Sequence, residues 1–146
     1  MKLKVKKINP ELEHPLPFYA TESSSGLDIA SSSIEKILLN PGETKLIPTN
    51  LILEIPFGYE GQVRPRSGLA IKNSIGIINS PGTIDSDYRG ELKILLTNFG
   101  KKEFAINFGD RIAQLVISKV EQAEVELADN LTHTNRSDGG FGHTGK

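Results

Sequence analysis

Residues 79–91, Asn79-Ser-Pro-Gly-Thr-Ile-Asp-Ser-Asp-Tyr-Arg-Gly-Glu91, are the most informative stretch of the chain. Their first residues favour a turn, and the residues that follow alternate as they would in a β-hairpin. An extended chain places Asp85 and Asp87 on one side. Ile84 and Tyr88 then point to the other side, together with the serine between the two acids. Such a hairpin can hold a small planar polar ligand, although acidic residues in turns are more often only turn formers.

Four further stretches combine glycine with charged or polar residues, and they lie on both sides of the first one. They are Ser-Gly-Leu-Asp-Ile-Ala (25–30), Pro-Arg-Ser-Gly-Leu-Ala (65–70), Gly-Asp-Arg-Ile-Ala-Gln-Leu-Val (109–116) and Arg-Ser-Asp-Gly-Gly-Phe-Gly-His-Thr-Gly (136–145). Together with residues 82–91, they resemble in order and spacing the five motifs of the trimeric dUTPases, the deoxyuridine triphosphate nucleotidohydrolases. The resemblance extends over residues 25–145. It departs from the family pattern at His143, where the family often has Ser, and at the variable pair Ser137-Asp138.

The composition limits the classes of protein that the chain can be. Its 146 residues suit one domain, and a net charge of −1 gives no sign of a general nucleic-acid binder. There is no cysteine, which excludes disulfides and thiolate chemistry. No apolar run approaches the roughly 18 residues of a membrane span, and no signal-peptide pattern opens the chain. We therefore expect a soluble cytoplasmic protein with no membrane and no nucleic-acid partner.

Short strand-like segments dominate the chain, which has 14 glycines and 8 prolines. Strands are predicted at Thr44–Ile55, Tyr59–Val63 and Leu92–Asn98, each bounded by Pro, Gly or Asn. The alternating lysines of residues 2–7 favour a half-exposed edge strand, with a basic binding arm as the alternative. This spacing of strands predicts an all-β sandwich or barrel.

Two segments have alternative interpretations. Arg111–Ala128 has apolar residues at helical spacing but also a β-branched run, so its periodicity alone fits a helix or a strand. The resemblance implies a jelly-roll-like β-barrel, so we interpret this segment as strand and expect only a turn or two of helix near Gly68–Asn73. The polar, glycine-rich residues 129–146 suit either a frayed tail or a mobile arm that orders over a ligand. We divide the chain into a barrel domain, residues 1–128, and a flexible C-terminal arm, residues 129–146.

The resemblance implies that the protein hydrolyses dUTP to dUMP and pyrophosphate, with water attacking the α-phosphorus. That reaction supplies dUMP for thymidylate synthesis and keeps uracil out of DNA. Such chemistry needs a base for the water, and the match to the family assigns this catalytic role to Asp85, with Asp87 as a turn acid. It also assigns to Tyr88 the stacking under the deoxyribose, which excludes a 2′-hydroxyl by steric conflict.

The resemblance also assigns the groups that recognise uracil. Asn79 is expected at the edge of the base, together with the main chain of Thr83, Ile84 and Asp85. The strand around Lys93 closes the pocket, and the side chain of this lysine is interpreted as a surface group. Cytosine reverses the donor and the acceptor at two edge positions, so accepting it would leave buried polar groups unpaired.

The phosphates are expected at a helix start, where Arg66, Ser67 and Gly68 offer a guanidinium, a hydroxyl and amides. Gln114 is an added amide donor, although by spacing alone a solvated strand residue is the better interpretation. Asp28 is expected to orient magnesium waters or neighbouring arginines. Mg²⁺ is the implied cofactor, and because it binds triphosphate oxygens and waters we expect no direct protein ligand for it.

The resemblance assigns further contacts to the C-terminal arm. Arg136 is expected at the γ-phosphate and Phe141 at the face of the uracil, while glycines such as Gly142 permit a close approach of the backbone. His143 and Thr144 are expected near the terminal phosphate.

The resemblance implies a homotrimer whose active sites are shared between subunits. Two alternatives belong to other classes of function. A dCTP deaminase of the same fold would need a different acid–base residue at the ring C4, and a non-catalytic binding module would be favoured by loss of the base Asp or of the Phe-bearing arm. The base Asp and the Phe-bearing arm are both present, so we interpret the chain as an enzyme, a dUTP diphosphatase.

Overall fold

A computed structural model of the chain describes residues 1–140. These residues form twelve β-strands and one short helix, as the all-β prediction requires. In chain order the elements are β1 (Lys4–Lys7), β2 (Phe18–Tyr19), β3 (Leu27–Ala30), β4 (Ile37–Leu39), β5 (Thr44–Ile47), β6 (Leu51–Glu54), β7 (Tyr59–Arg64), α1 (Ser67–Asn73), β8 (Ile75–Ile77), β9 (Gly82–Ile84), β10 (Ile94–Asn98), β11 (Phe104–Ile106) and β12 (Arg111–Lys119).

The strands form four antiparallel sheets around one apolar core, in a jelly-roll-like arrangement. The largest sheet has the order β2-β3-β12-β7-β9, and a second sheet has the order β5-β10-β8. β1 pairs with β6, and β11 pairs with β4. Each sheet contributes alternate apolar side chains to the core, because successive residues of a strand face opposite sides. The core residues that are fully buried include Ile29, Leu39, Ile47, Ile94 and Leu115.

The strand predicted at Arg111–Ala128 is confirmed in its first half and wrong in its second. β12 ends at Lys119, which is opposite Tyr59, the first residue of β7. Beyond that point the chain has no strand partner among the described residues, and the side chains of Val125 and Leu127 are 93% and 97% exposed. Strand propensity alone does not make a strand where the backbone has nothing to pair with.

Two other expectations need a small correction. The strand predicted at Thr44–Ile55 is divided into β5 and β6, because Pro48 lacks an amide hydrogen and Asn50 has a left-handed φ of 61°. The hairpin at residues 79–91 is extended only as far as Ile84. The amide of Tyr88 then donates to the carbonyl oxygen of Asp85, at 3.2 Å, so residues 85–88 form a turn rather than an alternating strand.

The edge strand and the helix are confirmed. Within residues 1–140, β1 pairs with one neighbour, β6, and the exposed Lys4 and Lys6 alternate with the half-buried Val5 and Lys7. α1 spans Ser67–Asn73 and ends where Ser74 adopts a left-handed φ of 55°. Nowhere in residues 1–140 is a helix both long and apolar enough to cross a membrane.

His14 is the buried titratable side chain of the N-terminal segment. Its residue is 3% exposed, its Nε2 lies 3.2 Å from the carbonyl oxygen of Ala30, and its ring meets that of Phe108 edge-on at 5.7 Å. Its Nδ1 is buried and has no hydrogen-bonding partner in the described residues. Burial lowers the pKa of His14 below its ordinary value, and the nearby Lys7 lowers it further, against opposing hydrogen bonds from the backbone.

We expect His14 to make the protein less stable in acid. Its pKa is lower in the folded state, so the unfolded chain takes up a proton first as the pH falls through about 6.5, and stability decreases from there toward the lower folded pKa. Thermal unfolding midpoints measured at about pH 7.5 and about pH 5 should differ less for His14→Gln than for the wild type. The exposed His133→Gln is the matched control, and an equal effect of the two substitutions would contradict the assignment.

Candidate active site

A buried carboxylate lies between two arginines at one end of the five-stranded sheet. The side chain of Asp28 is only 2% exposed. Its Oδ2 accepts a hydrogen bond of 2.8 Å from Nη1 of Arg111, and its Oδ1 lies 3.2 Å from Nε of Arg66. Nη1 of Arg66 also donates to the carbonyl oxygen of Arg111, at 3.1 Å. These three residues, which we call the Asp28 cluster, carry a net positive charge because two guanidinium groups face one carboxylate.

A β-bulge brings Arg111 into this cluster. Asp28 and Gln114 are directly opposite each other on β3 and β12, so their side chains share one face of the sheet. In a regular strand Arg111, three residues before Gln114, would point to the other face. The register shifts between Arg111 and Ala113, and the extra residue, Ile112, is buried in the core. The bulge therefore moves Arg111 to the face of Asp28.

Two atoms of the Asp28 cluster are buried without a hydrogen-bonding partner among residues 1–140. They are Oδ1 of Asp28 and Nε of Arg66, which are close enough for an ion pair but not aligned as a hydrogen bond. An unpaired buried polar atom costs about 1–3 kcal/mol. A water that donates to Oδ1 of Asp28, or an anionic oxygen that accepts from Nε of Arg66, would reduce that cost.

The structure brings Arg66 and Gln114, which were predicted at the phosphates, to the same end of the sheet as Asp28, which was predicted to orient magnesium waters or neighbouring arginines. Gln114 is half-buried, and it lies next to Asp28 in the ladder. Ser67 and Gly68 follow Arg66 directly, as the first two residues of α1, and both are exposed. The five residues therefore form one polar surface that includes a helix start.

The two arms of the hairpin at residues 79–93 belong to different sheets. β9, the outgoing arm, pairs with β7 and is the outermost strand of its sheet. The returning arm leads into β10, which pairs with β5 and β8. A backbone edge that has no strand partner is available to a flat ligand with donors and acceptors along its own edge. Beside these arms lies a cleft of about 350 Å³, the hairpin cleft, lined by Leu46, Ile84, Tyr88, Glu91 and Lys93.

The ring of Tyr88 is held over the returning arm. Its hydroxyl donates to the carbonyl oxygen of Glu91 at 3.1 Å, and the ring remains 45% exposed at the cleft. A Cβ atom at Gly90 would collide with this ring and its hydroxyl. Only glycine therefore permits the aromatic side chain to fold back over the chain at this position.

Asp85 faces a different depression from Tyr88. Thr83, Asp85 and Asp87 line a wide groove of about 770 Å³, which also includes Tyr59 and Glu60. Ile84 lines the hairpin cleft and Asp85 the groove because successive residues at the end of an extended strand face opposite sides. The predicted base is therefore exposed at the lip between the two depressions.

The remaining hairpin residues lie at the ends of the arms. Asn79 lies in the turn before β9, and its Nδ2 is 3.1 Å from the position that a Cβ atom of Gly82 would occupy. Lys93 is exposed, as expected of a surface lysine, and it also borders the hairpin cleft, with its Nζ 3.5 Å from Oε2 of Glu91.

The sequence analysis missed two residues of the site, Arg111 and Glu91. Arg111 lies within the stretch 109–116, but strand alternation places it on the wrong face and only the bulge corrects this. Glu91 ends the stretch 79–91, and its contacts are with the distant Thr49 and Asn50. Nothing in the local sequence signals either contact.

The C-terminal arm is described only in part. Nε of Arg136 donates to the carbonyl oxygen of Gly139 at 2.9 Å, within a local turn. Residues 121–138 are exposed. The predicted contacts of Phe141, Gly142, His143 and Thr144 lie outside the described residues.

The two parts of the site lie far apart within one chain. Ile84 is opposite Gly61, so Asp85 is level with Glu60 at the start of β7. Arg66 lies six residues further along, just past the other end of β7. At about 3.3 Å per residue, Asp85 and Arg66 are about 20 Å apart along the strand direction.

Comparisons with known proteins agree on one family. The profile of the family described as dUTPase matches residues 13–145. The chain is 53% identical over 146 residues to the deoxyuridine 5′-triphosphate nucleotidohydrolase of Nautilia profundicola, with all of both chains covered. It is 48% identical over 143 residues to the protein of the same name from Thermoanaerobacter sp., covering 98% of this chain and 97% of that one.

Solved structures agree in fold. The dUTPase of Staphylococcus bacteriophage 80alpha, solved with dUpNHpp, superposes with a TM-score of 0.89 and 27% identity, covering 99% of both chains. A mutant dUTPase from phage phi11 of S. aureus, described with a structural Mg(II) ion, superposes with a TM-score of 0.81 and 26% identity. It covers 91% of this chain and 100% of that one.

The Asp28 cluster gives a prediction for stability. Asp28→Asn leaves two guanidinium groups facing a neutral amide, and the free energy of unfolding should fall by about 2–3 kcal/mol. Urea unfolding measures this change. Glu54→Gln, which breaks the exposed ion pair with Lys4, is the control and should have a far smaller effect. Equal effects of the two substitutions would mean that the Asp28 cluster contributes no more than a surface pair.

Proposed function

The chain belongs to the dUTPase family and hydrolyses dUTP to dUMP and pyrophosphate, and we propose which residues carry each part of that reaction. The hairpin cleft receives the uracil between the two arms of the hairpin. The outer edge of β9, at Thr83 and Ile84, has no strand partner in the described residues, so its backbone groups can pair with the edge of the base. Asn79 adds an amide at the beginning of this arm.

The sugar lies against Tyr88. The hydroxyl of this tyrosine is hydrogen-bonded to the carbonyl oxygen of Glu91 and its ring lies over Gly90, so the ring is held as an obstacle to a ribose 2′-hydroxyl. Steric exclusion of this kind selects deoxyribonucleotides over ribonucleotides.

Asp85 is the general base for the attacking water. It is the exposed carboxylate at the lip between the hairpin cleft and the wide groove. A base must reach its water by a hydrogen bond of about 3 Å. Asp87 lies within the turn and lines the groove, but it is two residues further from the strand that holds the base.

The triphosphate binds at the Asp28 cluster and the start of α1. The net positive charge of the cluster, the hydroxyl of Ser67, the backbone at Gly68 and the amide of Gln114 suit an anion with several oxygens. Asp28 neutralises one of the two arginines and holds Arg66 in place. It does not itself touch the phosphates.

We propose Mg²⁺ as the cofactor, carried by the triphosphate. Residues 1–140 contain no group of three or more His, Cys, Asp or Glu side chains that could hold a metal ion. Oδ1 of Asp28 is buried without a hydrogen-bonding partner and can accept a hydrogen bond from a water of the hydrated ion. Bound in this way, the ion would neutralise charge on the leaving pyrophosphate.

One observation supports a site shared between subunits, which is the separation of Asp85 from Arg66 by about 20 Å. The base must hydrogen-bond a water that touches a phosphorus atom, and the residues that bind the phosphates are at the other end of β7. Such a separation favours a site whose two parts come from different chains. A homotrimer in which the hairpin of one chain faces the Asp28 cluster of another brings them together.

The residues after the barrel complete the proposal. We treat residues 129–146 as an arm that closes over the nucleotide, with Arg136 at the γ-phosphate and Phe141 on the uracil. Val125 and Leu127, exposed in the single chain, would be covered in the trimer. A cytoplasmic location suits a substrate that is a precursor for DNA synthesis.

We expect Asp85→Asn to bind nucleotide but lose about 10²–10⁴-fold in turnover, because the amide cannot accept the proton from water. Pyrophosphate release from dUTP measures turnover, and ammonia release from dCTP would instead mark the deaminase alternative. Asp87→Asn, which changes the neighbouring carboxylate of the groove, should keep nearly full activity. Near-normal turnover in Asp85→Asn would remove this residue from the role of base.

The shared site predicts that two inactive variants rescue each other. Chains truncated before Arg136 keep the base but lack the arm, and Asp85→Asn chains keep the arm but lack the base. After co-refolding at equal ratio, about three-quarters of random trimers are mixed, and cyclic symmetry gives each of these about one complete site of three.

About a quarter of wild-type activity should therefore return on mixing. Native mass spectrometry establishes that mixed trimers have formed. Mixed trimers without activity would contradict an arm that crosses between subunits, since an arm that closes over its own chain cannot repair either variant.

A further inference from the structure

The width of the hairpin cleft is set by how each arm is attached to its own sheet. The outgoing arm is fixed by three backbone pairs between β9 and β7. The returning arm, residues 89–93, precedes β10, so the β10 ladders do not hold it. It has one isolated bridge between Ile52 and Glu91, and one backbone bond from the amide of Leu92 to the carbonyl oxygen of Leu51.

The hydroxyl of Thr49 also donates to the carbonyl oxygen of Leu92, whose side chain is buried in the core. The carboxylate of Glu91 supplies a further attachment. Its Oε1 accepts hydrogen bonds from the amides of Thr49 and Asn50, at 3.2 and 3.0 Å. The side chain is only 19% exposed, so these bonds are largely protected from water. Asn50 is itself fixed, because its side chain exchanges two hydrogen bonds with the backbone of Asn9. Glu91 is thus attached to a loop that is itself hydrogen-bonded to the segment after β1.

The same residue also holds two other components of the cleft. Its carbonyl oxygen accepts the hydroxyl of Tyr88, and its Oε2 lies 3.5 Å from Nζ of Lys93. Three of the residues that line the hairpin cleft are therefore connected through Glu91. A shift of its backbone would move both the returning arm and the tyrosine ring.

We propose that Glu91 is a positioning residue that sets the width of the hairpin cleft and thereby the selectivity of the enzyme among pyrimidine nucleotides. The inference rests on the proposed function, in which the cleft receives the base and Tyr88 excludes the ribose hydroxyl. Glu91 acts through the arm and the tyrosine ring, and it needs no contact with the substrate. A wider cleft binds uracil less tightly and admits the 5-methyl group of thymine.

Three substitutions of Glu91 separate the effects of the charge, of the length and of the presence of its side-chain carboxylate. Glu91→Ala removes both bonds to the loop, Glu91→Asp shortens the side chain so that it cannot span the same gap, and Glu91→Gln keeps an oxygen for the two amides. For each variant, kcat and KM are measured with dUTP, dTTP and UTP. Circular dichroism and a thermal melt establish that the variants fold.

We expect Glu91→Ala to raise KM for dUTP about tenfold and to lower the preference for dUTP over dTTP and over UTP by a similar factor. The value of kcat for dUTP should change less than about threefold, because the arm that carries the base is held by the pairing of β9 with β7 and the phosphate site lies on other elements. Glu91→Asp should change KM and preference in the same direction. Glu91→Gln should restore most of the wild-type preference.

The chain contains a matched control in Glu43. Its Oε2 accepts a hydrogen bond from the amide of Asn40 at 2.8 Å, and its Oε1 lies 3.0 Å from Nζ of Lys45. Glu43→Ala therefore removes the same kind of contact, a carboxylate bound to a backbone amide and to the lysine two residues later, at a loop outside the cleft. It should leave the nucleotide preferences unchanged.

The proposal is overturned if folded Glu91→Ala or Glu91→Asp keeps the wild-type KM and preferences, or if only kcat falls. If Glu91→Ala does not fold, Glu91→Asp decides the question. Failure of the proposed site would give a different result, in which Asp85→Asn retains turnover whatever the Glu91 variants do.

Discussion

The antiparallel ladder between β7 and β12 is the interaction on which both parts of the site depend. It joins six residue pairs, from Gln114 and Arg64 at one end to Lys119 and Tyr59 at the other. β3 pairs with the far side of β12 and carries Asp28, while β9 pairs with the far side of β7 and carries the hairpin. The ladder places the Asp28 cluster and Asp85, the proposed phosphate site and the proposed base, at opposite ends. In the proposed function, assembly is therefore part of the active site, because these two groups lie about 20 Å apart along a paired strand.

The sequence predicted the fold class, the helix near residue 70 and most of the strands, because alternation and turn residues are local properties. It also identified Asp28, Arg66 and Gln114, which the fold brings together from three strands or their ends. It did not predict the turn after Ile84 or the end of β12 at Lys119, since both depend on which partner the backbone finds. The bulge at Ile112 had no signal either, because a one-residue change of register leaves the sequence pattern almost intact.

The Asp28 cluster combines a structural and a functional requirement. A lone buried carboxylate is costly, and two guanidinium groups stabilise it while leaving one positive charge in excess. That excess faces the surface, since Arg111 is 46% exposed and Arg66 is 24% exposed at the side chain. In the proposed function, the triphosphate binds to arginines that Asp28 already orients, so less conformational entropy is lost on binding than with two free side chains.

A comparison of Glu91 with Glu43 shows why a positioning residue such as Glu91 cannot be predicted from the local sequence. Each glutamate is followed two residues later by a lysine that it pairs with, and each accepts a hydrogen bond from a backbone amide. Glu43 receives its amide from Asn40, three residues away, so the contact stabilises a surface turn and lowers the pKa of that carboxyl. Glu91 receives its amides from a loop more than forty residues away, so the same chemistry connects an arm of the hairpin to the barrel. The two glutamates differ in which segment the fold places opposite the carboxylate. The contact of Glu91 acquires a function because the arm that it attaches borders the hairpin cleft.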